Sequence, residues 1–267
     1  MLKQVRFIGQ AHGGDQRWFQ FDEAGNAFST LADPPWDGVT GYPGYIGHGY
    51  QHNTIDPATG DDYYLFTNSG DMQRRNRAGS TWMEVTGAAT SGNAIAGAIE
   101  WLPSIGTQGG IVRAYAESVQ RWDKAANSWS TVTSSLANPD NHRFAVRSIP
   151  HNLVLFGGGN GNSSALWSVG PTGGITSRAA CPIGMGVTIG ITVCCPTSGD
   201  LLVFGTGTAR QYDVPSDTWS TLSLSGAPTF PTINSGHKVL AVPVPAYGVV
   251  MFIFGGSADV WLYKHSS

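Results

Sequence analysis

A turn built on proline recurs along this chain at a nearly constant interval. The five prolines are Pro57, Pro103, Pro150, Pro196 and Pro245, which lie 46, 47, 46 and 49 residues apart. In four of the five copies a glycine follows three residues after the proline. Because proline fixes φ and glycine permits positive φ, each segment predicts a tight turn between two strands. A repeat of this length constrains the fold more than any other feature of the sequence.

A second marker, a large apolar residue that opens the last strand of each copy, recurs with a similar period. These residues are Phe28, Trp82, Trp129, Ile175 and Trp219, spaced 54, 47, 46 and 44 residues apart. Seven residues before four of them stand candidate partners on the preceding strand, namely Phe21, Arg75, Trp122 and Tyr212. The clearest copy, residues 191–222, contains four short strands. Two markers with one period therefore predict four-stranded antiparallel units of roughly 46 residues.

Units of this length match the blades of β-propellers, and we predict a single all-β domain over residues 1–267, a six-bladed β-propeller. Copies two to five cover residues 50–85, 95–132, 144–177 and 187–222. The first copy lacks an inner strand, and the last, which begins near Lys238, stops before a fourth strand. A five-bladed propeller with an irregular extra hairpin is the alternative. No segment shows the 3.6-residue apolar period and the caps of a helix.

Two elements of a known repeat are distributed over the copies. A glycine pair follows the second strand in Phe156-Gly157-Gly158 and in Phe254-Gly255-Gly256, and the aromatic residues Tyr212 and Trp122 each precede a tryptophan by seven positions. The chain thus resembles the kelch-type repeat and the related galactose-oxidase-like propeller superfamily. Residues 48–60 also look like kelch-like propellers of phage and environmental sequences. The resemblance implies a β-propeller over essentially the whole chain.

Charge and cysteine content exclude several classes of function. With 15 Lys and Arg against 18 Asp and Glu, the net charge of −3 gives no electrostatic basis for binding nucleic acid. Three cysteines, Cys181, Cys194 and Cys195, cannot form a disulfide framework. Adjacent residues of a strand face opposite sides, so we expect Cys194 and Cys195 to be buried on opposite faces.

The N-terminal residues and the surface composition bear on location. No apolar h-region begins the sequence, and no apolar stretch approaches about 18 residues, so we predict neither a signal peptide nor membrane insertion and expect a soluble protein. Lysine is rare, while glycine, serine, threonine and asparagine are abundant. This mixture is common in adhesive and virion surface proteins, and it suggests a surface or virion-associated protein.

The motifs of enzymes on related propellers are incomplete in this sequence. We find no local motif that places the Tyr and His ligands of a galactose-oxidase-like copper site. The Asp box of sialidases, Ser-x-Asp-x-Gly-x-Thr-Trp, matches only at Gly79, Thr81 and Trp82, because Arg77 stands where the Asp belongs. A Gly-x-Ser-x-Gly elbow is absent as well. We therefore predict no catalytic residue and no cofactor.

Polar residues recur where propellers usually bind ligands, in the loops before the inner strands and in those between second and third strands. The candidate ligand-binding residues are His48, His52, Asn93, His142, Arg143, His237, Trp36 and Tyr45. Arg143 would anchor a sugar or an acidic group, and the aromatic side chains would provide a stacking surface. The other interpretation is that these polar residues cap strand ends and bond to neighbouring loop backbones.

Histidines from different copies raise the question of a metal site. His48 and His52 lie about 13 Å apart on an extended strand, too far for two ligands of one ion. A ring of His48, His142 and His237 is the remaining arrangement, and we favour no metal. The sequence thus predicts a non-enzymatic binding or assembly module with a protein or glycan partner. The alternative is a glycan-active enzyme, a lyase or hydrolase, with its site at the channel mouth.

Overall fold

The computed structural model describes only part of the chain. The described residues are 4–9, 17–22, 24–25, 27–31, 53–65, 72–78, 81–85, 97–137, 140, 142–161, 163–186, 190–205, 207–224, 226, 239–254 and 260–265, with side chains described from residue 20 onward. No helix occurs among them.

Strands in six sheets make up the described structure, and consecutive strands are neighbours within each sheet. The first sheet has β1 (Gln4–Gly9), β2 (Arg17–Asp22) and β3 (Ala27–Thr30). The second has β4 (Asn53–Ile55), β5 (Asp62–Leu65), β6 (Met72–Asn76) and β7 (Thr81–Val85). The third has β8 (Ala98–Leu102), β9 (Gly110–Tyr115), β10 (Ser118–Asp123) and β11 (Ser128–Thr133).

The remaining three sheets follow the same order. The fourth has β12 (Phe144–Ser148), β13 (Leu153–Gly157), β14 (Leu166–Val169) and β15 (Ile175–Arg178). The fifth has β16 (Gly190–Cys194), β17 (Leu201–Gly205), β18 (Thr208–Asp213) and β19 (Thr218–Thr221). The sixth has β20 (Val239–Val244), β21 (Val249–Phe254) and β22 (Val260–Lys264).

The all-β propeller predicted from the sequence is confirmed, with a corrected blade number. Five small sheets form a β-propeller with five blades, which is the predicted alternative rather than the six blades first inferred. Inner strands of neighbouring sheets lie side by side in three cases, β4 with β8, β12 with β16, and β16 with β20. Among the described residues, the first sheet has three strands, and the sequence has no proline turn in this copy.

Strand register explains both sequence markers. The proline turns join the first and second strands of the second to sixth sheets, as predicted. The seven-residue spacing between aromatic residues reflects direct cross-strand pairing, because Tyr212 pairs with Trp219 and Arg75 pairs with Trp82. The Tyr212 and Trp219 rings lie 5.1 Å apart, a contact that stabilises the third and fourth strands of the fifth sheet.

The chain divides into two compact units, one made of Met1–Arg113 with Arg121–Ser130 and the other of Ala114–Gln120 with Thr131–Ser267. The prediction of a single domain stays a prediction. The core of the first unit contains side chains of the second and third sheets. At its centre the ring of Tyr63 lies 5.4 Å from that of Trp101 and 5.5 Å from that of Trp122.

The second unit contains two apolar clusters, one with side chains of the fourth and fifth sheets and one with side chains of the fifth and sixth. The fifth sheet contributes to both, since its strands are apolar on both faces. Cys194 belongs to the first cluster and Cys195 to the second. The prediction that these two cysteines are buried on opposite faces is therefore confirmed.

Candidate functional site

Two of the eight predicted ligand-binding residues, His142 and Arg143, lie in the described part of the chain, immediately before β12. The other six fall outside the described residues: His48, His52, Asn93, His237, Trp36 and Tyr45. Both described residues are buried, His142 with 8% and Arg143 with 1% of its surface exposed. The structure brings them together with the turn between β9 and β10 and with the glycine-rich loop after β13.

The guanidinium of Arg143 is held between a carbonyl and an indole. Its Nη2 atom donates a hydrogen bond of 3.1 Å to the carbonyl oxygen of Ala116, and its central carbon lies 4.9 Å from the ring centre of Trp167. Burial lowers the pKa of this guanidinium, and the charge of Asp140 opposes the shift. A cation stacked on an indole and covered by protein fixes the loop before β12 in place.

Asp140, which the sequence reasoning did not select, connects three segments. Its backbone forms a β-bridge with Ala116, and its Oδ2 atom accepts a hydrogen bond of 3.0 Å from the N–H of Gly161. A Cβ atom on Gly159, whose φ is 137°, would collide with the same carboxylate. The glycine-rich loop therefore has its composition because it packs closely against Asp140. Its position three residues before Arg143 was the only indication in the sequence.

The backbone at His142 is strained. Its φ of 59° is a left-handed conformation that few residues other than glycine adopt. Such a conformation persists only where neighbouring interactions stabilise it. Here the guanidinium of Arg143 donates to the carbonyl of Ala116, and Asp140 forms a β-bridge with the same residue, which lies in the turn between β9 and β10. The loop before β12 thus has one defined geometry.

Exposed polar side chains remain at the edge of this cluster. The side chains of Glu117 and Asn160 are exposed. The backbone of Glu117 is fixed, because its carbonyl oxygen accepts a hydrogen bond of 2.7 Å from the N–H of Leu136. We call Glu117, Asn160 and Gly161 the loop surface. The buried residues fix its backbone, and the exposed carboxylate and amide can accept and donate hydrogen bonds to a bound molecule.

Three cysteines are the candidate nucleophiles among the described residues. Cys181, Cys194 and Cys195 are free and buried. Burial raises the pKa of Cys181 to about 11. Burial also opposes ionisation of Cys195, but hydrogen bonds from Ser198 and Thr197 outweigh it and lower the pKa of this thiol. In the described part of the chain, no group of three His, Cys, Asp or Glu side chains could hold a metal ion.

Comparison with known proteins establishes the fold class. No family model and no curated protein matches the sequence. The structure is similar to a chain in the crystal structure of a nidogen/laminin complex, with a TM-score of 0.57, 8% identity, and coverage of 82% of this chain and 75% of that one. At this identity the likeness shows a β-propeller fold and nothing finer.

A second solved structure covers more of the chain. It is a structural genomics protein of unknown function from Bacteroides thetaiotaomicron VPI-5482, with a TM-score of 0.60 and 10% identity. The match covers 98% of this chain but 66% of that one, so this chain spans just under two thirds of that protein. Among the described residues, no helix has the length and apolar composition needed to cross a lipid bilayer.

Proposed function

We propose that this protein is a non-enzymatic binding or assembly module that recognises another protein through its loops. The β-propeller fold fits such a module in general, and one structurally similar chain was solved in a complex of two proteins. The observation that carries the proposal is the loop cluster itself. Arg143, Asp140 and His142 are used to fix the loop backbones, which leaves the exposed Glu117 and Asn160 in a preorganised surface. Preorganised loops lower the entropic cost of binding.

The remaining predicted site residues belong to the same proposal. His48, His52, Asn93 and His237 precede inner strands or predicted inner strands in the sequence, as His142 does, and we propose that they are ligand-binding residues as well. A glycan is the second ligand class, for which Trp36 and Tyr45 would provide the stacking surface. The glycan-active enzyme remains the alternative function at this site.

We further propose that the blades are of the kelch type. Two glycines of the kelch pattern are required sterically, because a Cβ atom on Gly157 would collide with the carbonyl of Ala165 and one on Gly158 with that of Met185. The Tyr212–Trp219 pair accounts for the aromatic spacing of the same pattern. A surface or virion-associated location is part of this proposal and depends on composition alone.

Site-specific photocrosslinking of the full chain tests the loop surface. A photoreactive amino acid replaces the exposed Asn160, and in a control protein it replaces the exposed Ala246, which lies in the turn between β20 and β21. In extracts of the source organism, we expect the photoreactive residue at position 160 to crosslink one partner protein and the residue at position 246 to crosslink none. The substitution Glu117→Ala should reduce the yield of the crosslinked product at position 160. Equal crosslinking at both positions, or an unchanged yield with Glu117→Ala, would contradict the proposal.

A glycan array with the same proteins separates the ligand classes. Specific glycan binding that is lost in Trp36→Ala or Tyr45→Ala would replace the protein partner with a glycan. Cleavage of a bound glycan that is lost in His142→Gln would favour the enzyme. Glutamine keeps the size of the side chain and removes its titration, so a folding defect is less of a concern than with alanine.

A further inference from the structure

The loop after β13 contains the only Asn-Gly pair of the sequence, Asn160-Gly161. The side chain of Asn160 is exposed, and exposed side chains change rotamer freely. In an Asn-Gly pair, the backbone nitrogen of the glycine can attack the side-chain carbonyl carbon of the asparagine and close a five-membered ring. Glycine obstructs this attack least, because it has no Cβ atom. The pair is therefore a candidate site for a covalent change of the chain.

The carboxylate of Asp140 lies at the nitrogen that would attack. Its Oδ2 atom accepts a hydrogen bond of 3.0 Å from the N–H of Gly161. An amide nitrogen becomes a nucleophile as it loses its proton, and a general base has to lie within about 2.6–3.2 Å of the atom that gives up the proton. Asp140 meets this condition, whereas a neutral acceptor in the same place would only hold the proton where it is.

Two contacts keep Asp140 in this position. Its backbone forms a β-bridge with Ala116, and its side chain packs so closely against the loop that a Cβ atom on Gly159 would collide with it. A Cβ atom on Gly161 would lie 3.2 Å from the same Oδ2 atom. Ring closure therefore brings the exposed Asn160 side chain to a nitrogen that stays beside its base.

We propose that Asn160-Gly161 is a self-modification site, at which Asp140 acts as the general base that converts Asn160 to aspartate and isoaspartate. The Gly161 nitrogen passes its proton to Oδ2 of Asp140 while it forms a bond to Cγ of Asn160. Asp140 returns this proton to the side-chain nitrogen, the bond between Cγ and that nitrogen breaks, and ammonia departs, which leaves a cyclic imide. One water molecule then opens the ring at either carbonyl, and no oxidant or reductant is needed.

The product changes the loop surface of Glu117, Asn160 and Gly161. A neutral amide becomes a carboxylate, so the surface carries two acidic side chains in place of one. Isoaspartate also adds a methylene group to the backbone. The inference goes beyond the proposed function, because the reaction needs no partner. It is measured on the isolated protein, so its failure and a failure of the photocrosslinking experiment are separate results.

Mass spectrometry of the full-length protein, incubated at neutral pH and then digested with trypsin, tests the site. Trypsin releases residues 148–178 as one peptide, which contains both Asn160 and the exposed Asn152. Deamidation at position 160 should be at least about tenfold faster than at position 152, where the next residue is Leu153 and not glycine. Fragment ions locate the change and separate aspartate from isoaspartate.

Asn160→Gln is the matched control for this measurement. Its side chain is one methylene group too long for the five-membered ring, so the mass change at position 160 should disappear. Equal rates at positions 152 and 160 in the unchanged protein would overturn the proposal.

The substitution Asp140→Asn tests the base. Asparagine has the same size and can still accept the hydrogen bond from Gly161, but it cannot take up the proton. The rate at position 160 should fall at least about tenfold, and hydrogen exchange at Gly161 should change little. An unchanged or higher rate would show that Asp140 only restrains the loop, and it would overturn the proposal.

A comparison that needs no variant covers the case in which Asp140→Asn fails to fold. In urea the unfolded chain loses the contact between Asp140 and Gly161, which are 21 residues apart. Deamidation at position 160 should therefore be slower in urea than in the folded protein at the same pH. A folded protein that reacts no faster than the unfolded chain would contradict the role of Asp140, because folding then only restricts the ring closure.

Discussion

The turn at residues 56–61 of the second sheet and the turn at residues 195–200 of the fifth share one backbone conformation. In the first, the N–H of Asp56 donates to the carbonyl of Asp61 over 2.9 Å, and in the second the N–H of Cys195 donates to that of Asp200 over 2.8 Å. The glycines of both turns have nearly equal φ, 77° at Gly60 and 79° at Gly199. Proline and glycine at the same positions therefore produce the same turn in both sheets.

The side chains of the two turns have different chemistry. Asp56 accepts hydrogen bonds from the N–H of Ala58, the hydroxyl of Thr59 and the ammonium of Lys124, the last at 2.7 Å. Cys195 stands in its place in the fifth sheet, with its Sγ atom 3.2 Å from a hydroxyl oxygen. The two turns thus share a backbone conformation but differ in the partners of their side chains, which include Arg74 and Lys124 in the first and only uncharged groups such as Gln211 in the second. By these partners we call the first the charged turn and the second the neutral turn.

Lys124→Met should have the largest effect on this comparison. The variant leaves the buried Asp56 carboxylate without its cation and removes a cation that lies 5.5 Å from the Trp101 ring centre. Breaking one partner of a buried ion pair typically costs about 3 kcal/mol or more in unfolding free energy. Urea denaturation measures the loss.

The double variant Asp56→Asn with Lys124→Met is the matched control for this ion pair. It removes both charges and keeps the side-chain volumes close to the original, so it should be more stable than the single variant. A double variant as unstable as Lys124→Met alone would show that packing of the lysine side chain, and not the buried carboxylate, causes the loss.

Gly199→Ala, in the neutral turn, should lower the free energy of unfolding of the protein by about 2 kcal/mol more than Gly173→Ala does. Both glycines have positive φ, 79° and 76°, so the conformational penalty is common to both. At Gly199 the added methyl group would lie 2.5 Å from the Ser148 Oγ atom, whereas at Gly173 no atom lies within 4 Å. Thermal unfolding of both variants gives the steric contribution by difference, and equal losses would contradict the packing shown here.

The sequence predicted the repeat because its causes are local. Pro196 and Gly199 lie within one turn, and Tyr212 pairs with Trp219 only seven positions away, so spacing alone located turns and strands. The blade count was less accessible, since three strands in the first sheet look like a trimmed blade in the sequence.

The side-chain networks could not be predicted from the sequence, because their members are far apart along the chain and meet only when the sheets pack. Lys124 and Asp56 are 68 residues apart, and their contact depends on how the second and third sheets pack. Arg143 was predicted as a charged anchor for a sugar or an acidic group, and nothing in the sequence indicated its contacts with Ala116 and Trp167. Its role as a ligand contact stays a prediction, and its contacts within the protein are the new information.

Asp61→Asn should cost about 1.5 kcal/mol at neutral pH, because it weakens hydrogen bonds of 2.8 and 2.5 Å from the charged Arg74. Asp200→Asn in the neutral turn should cost less, since its partner is the uncharged amide of Gln211 at 2.7 Å. Equal losses in the two variants would show that the charge of Arg74 adds nothing.

The charged turn should also respond to acid. Burial raises the pKa of Asp61, but hydrogen bonds from the N–H of Arg77 and the side chain of Arg74 overcome this and hold the pKa below its usual range. The folded state therefore binds fewer protons than the unfolded state. The stability that the ionised Asp61 contributes is complete above about pH 4, and it is lost as the pH falls through the lower pKa of the folded state. The free energy of unfolding should be measured between about pH 2 and 6, the range in which carboxyl groups ordinarily titrate. It should change less with pH in Asp61→Asn than in the unchanged protein.

Ser148→Ala should have the smallest effect, about 1 kcal/mol, and it tests how the neutral turn is attached to the neighbouring sheet. The Ser148 hydroxyl, at the end of β12, donates a hydrogen bond of 2.7 Å to the carbonyl of Gly199 and is fully buried. Where Lys124 connects the charged turn to the following sheet through an ion pair, this hydroxyl connects the neutral turn to the preceding one. Ser148→Cys, which keeps a weak donor of similar shape, should lose less than the alanine variant, and hydrogen exchange at Gly199 and Asp200 should accelerate only when the donor is removed.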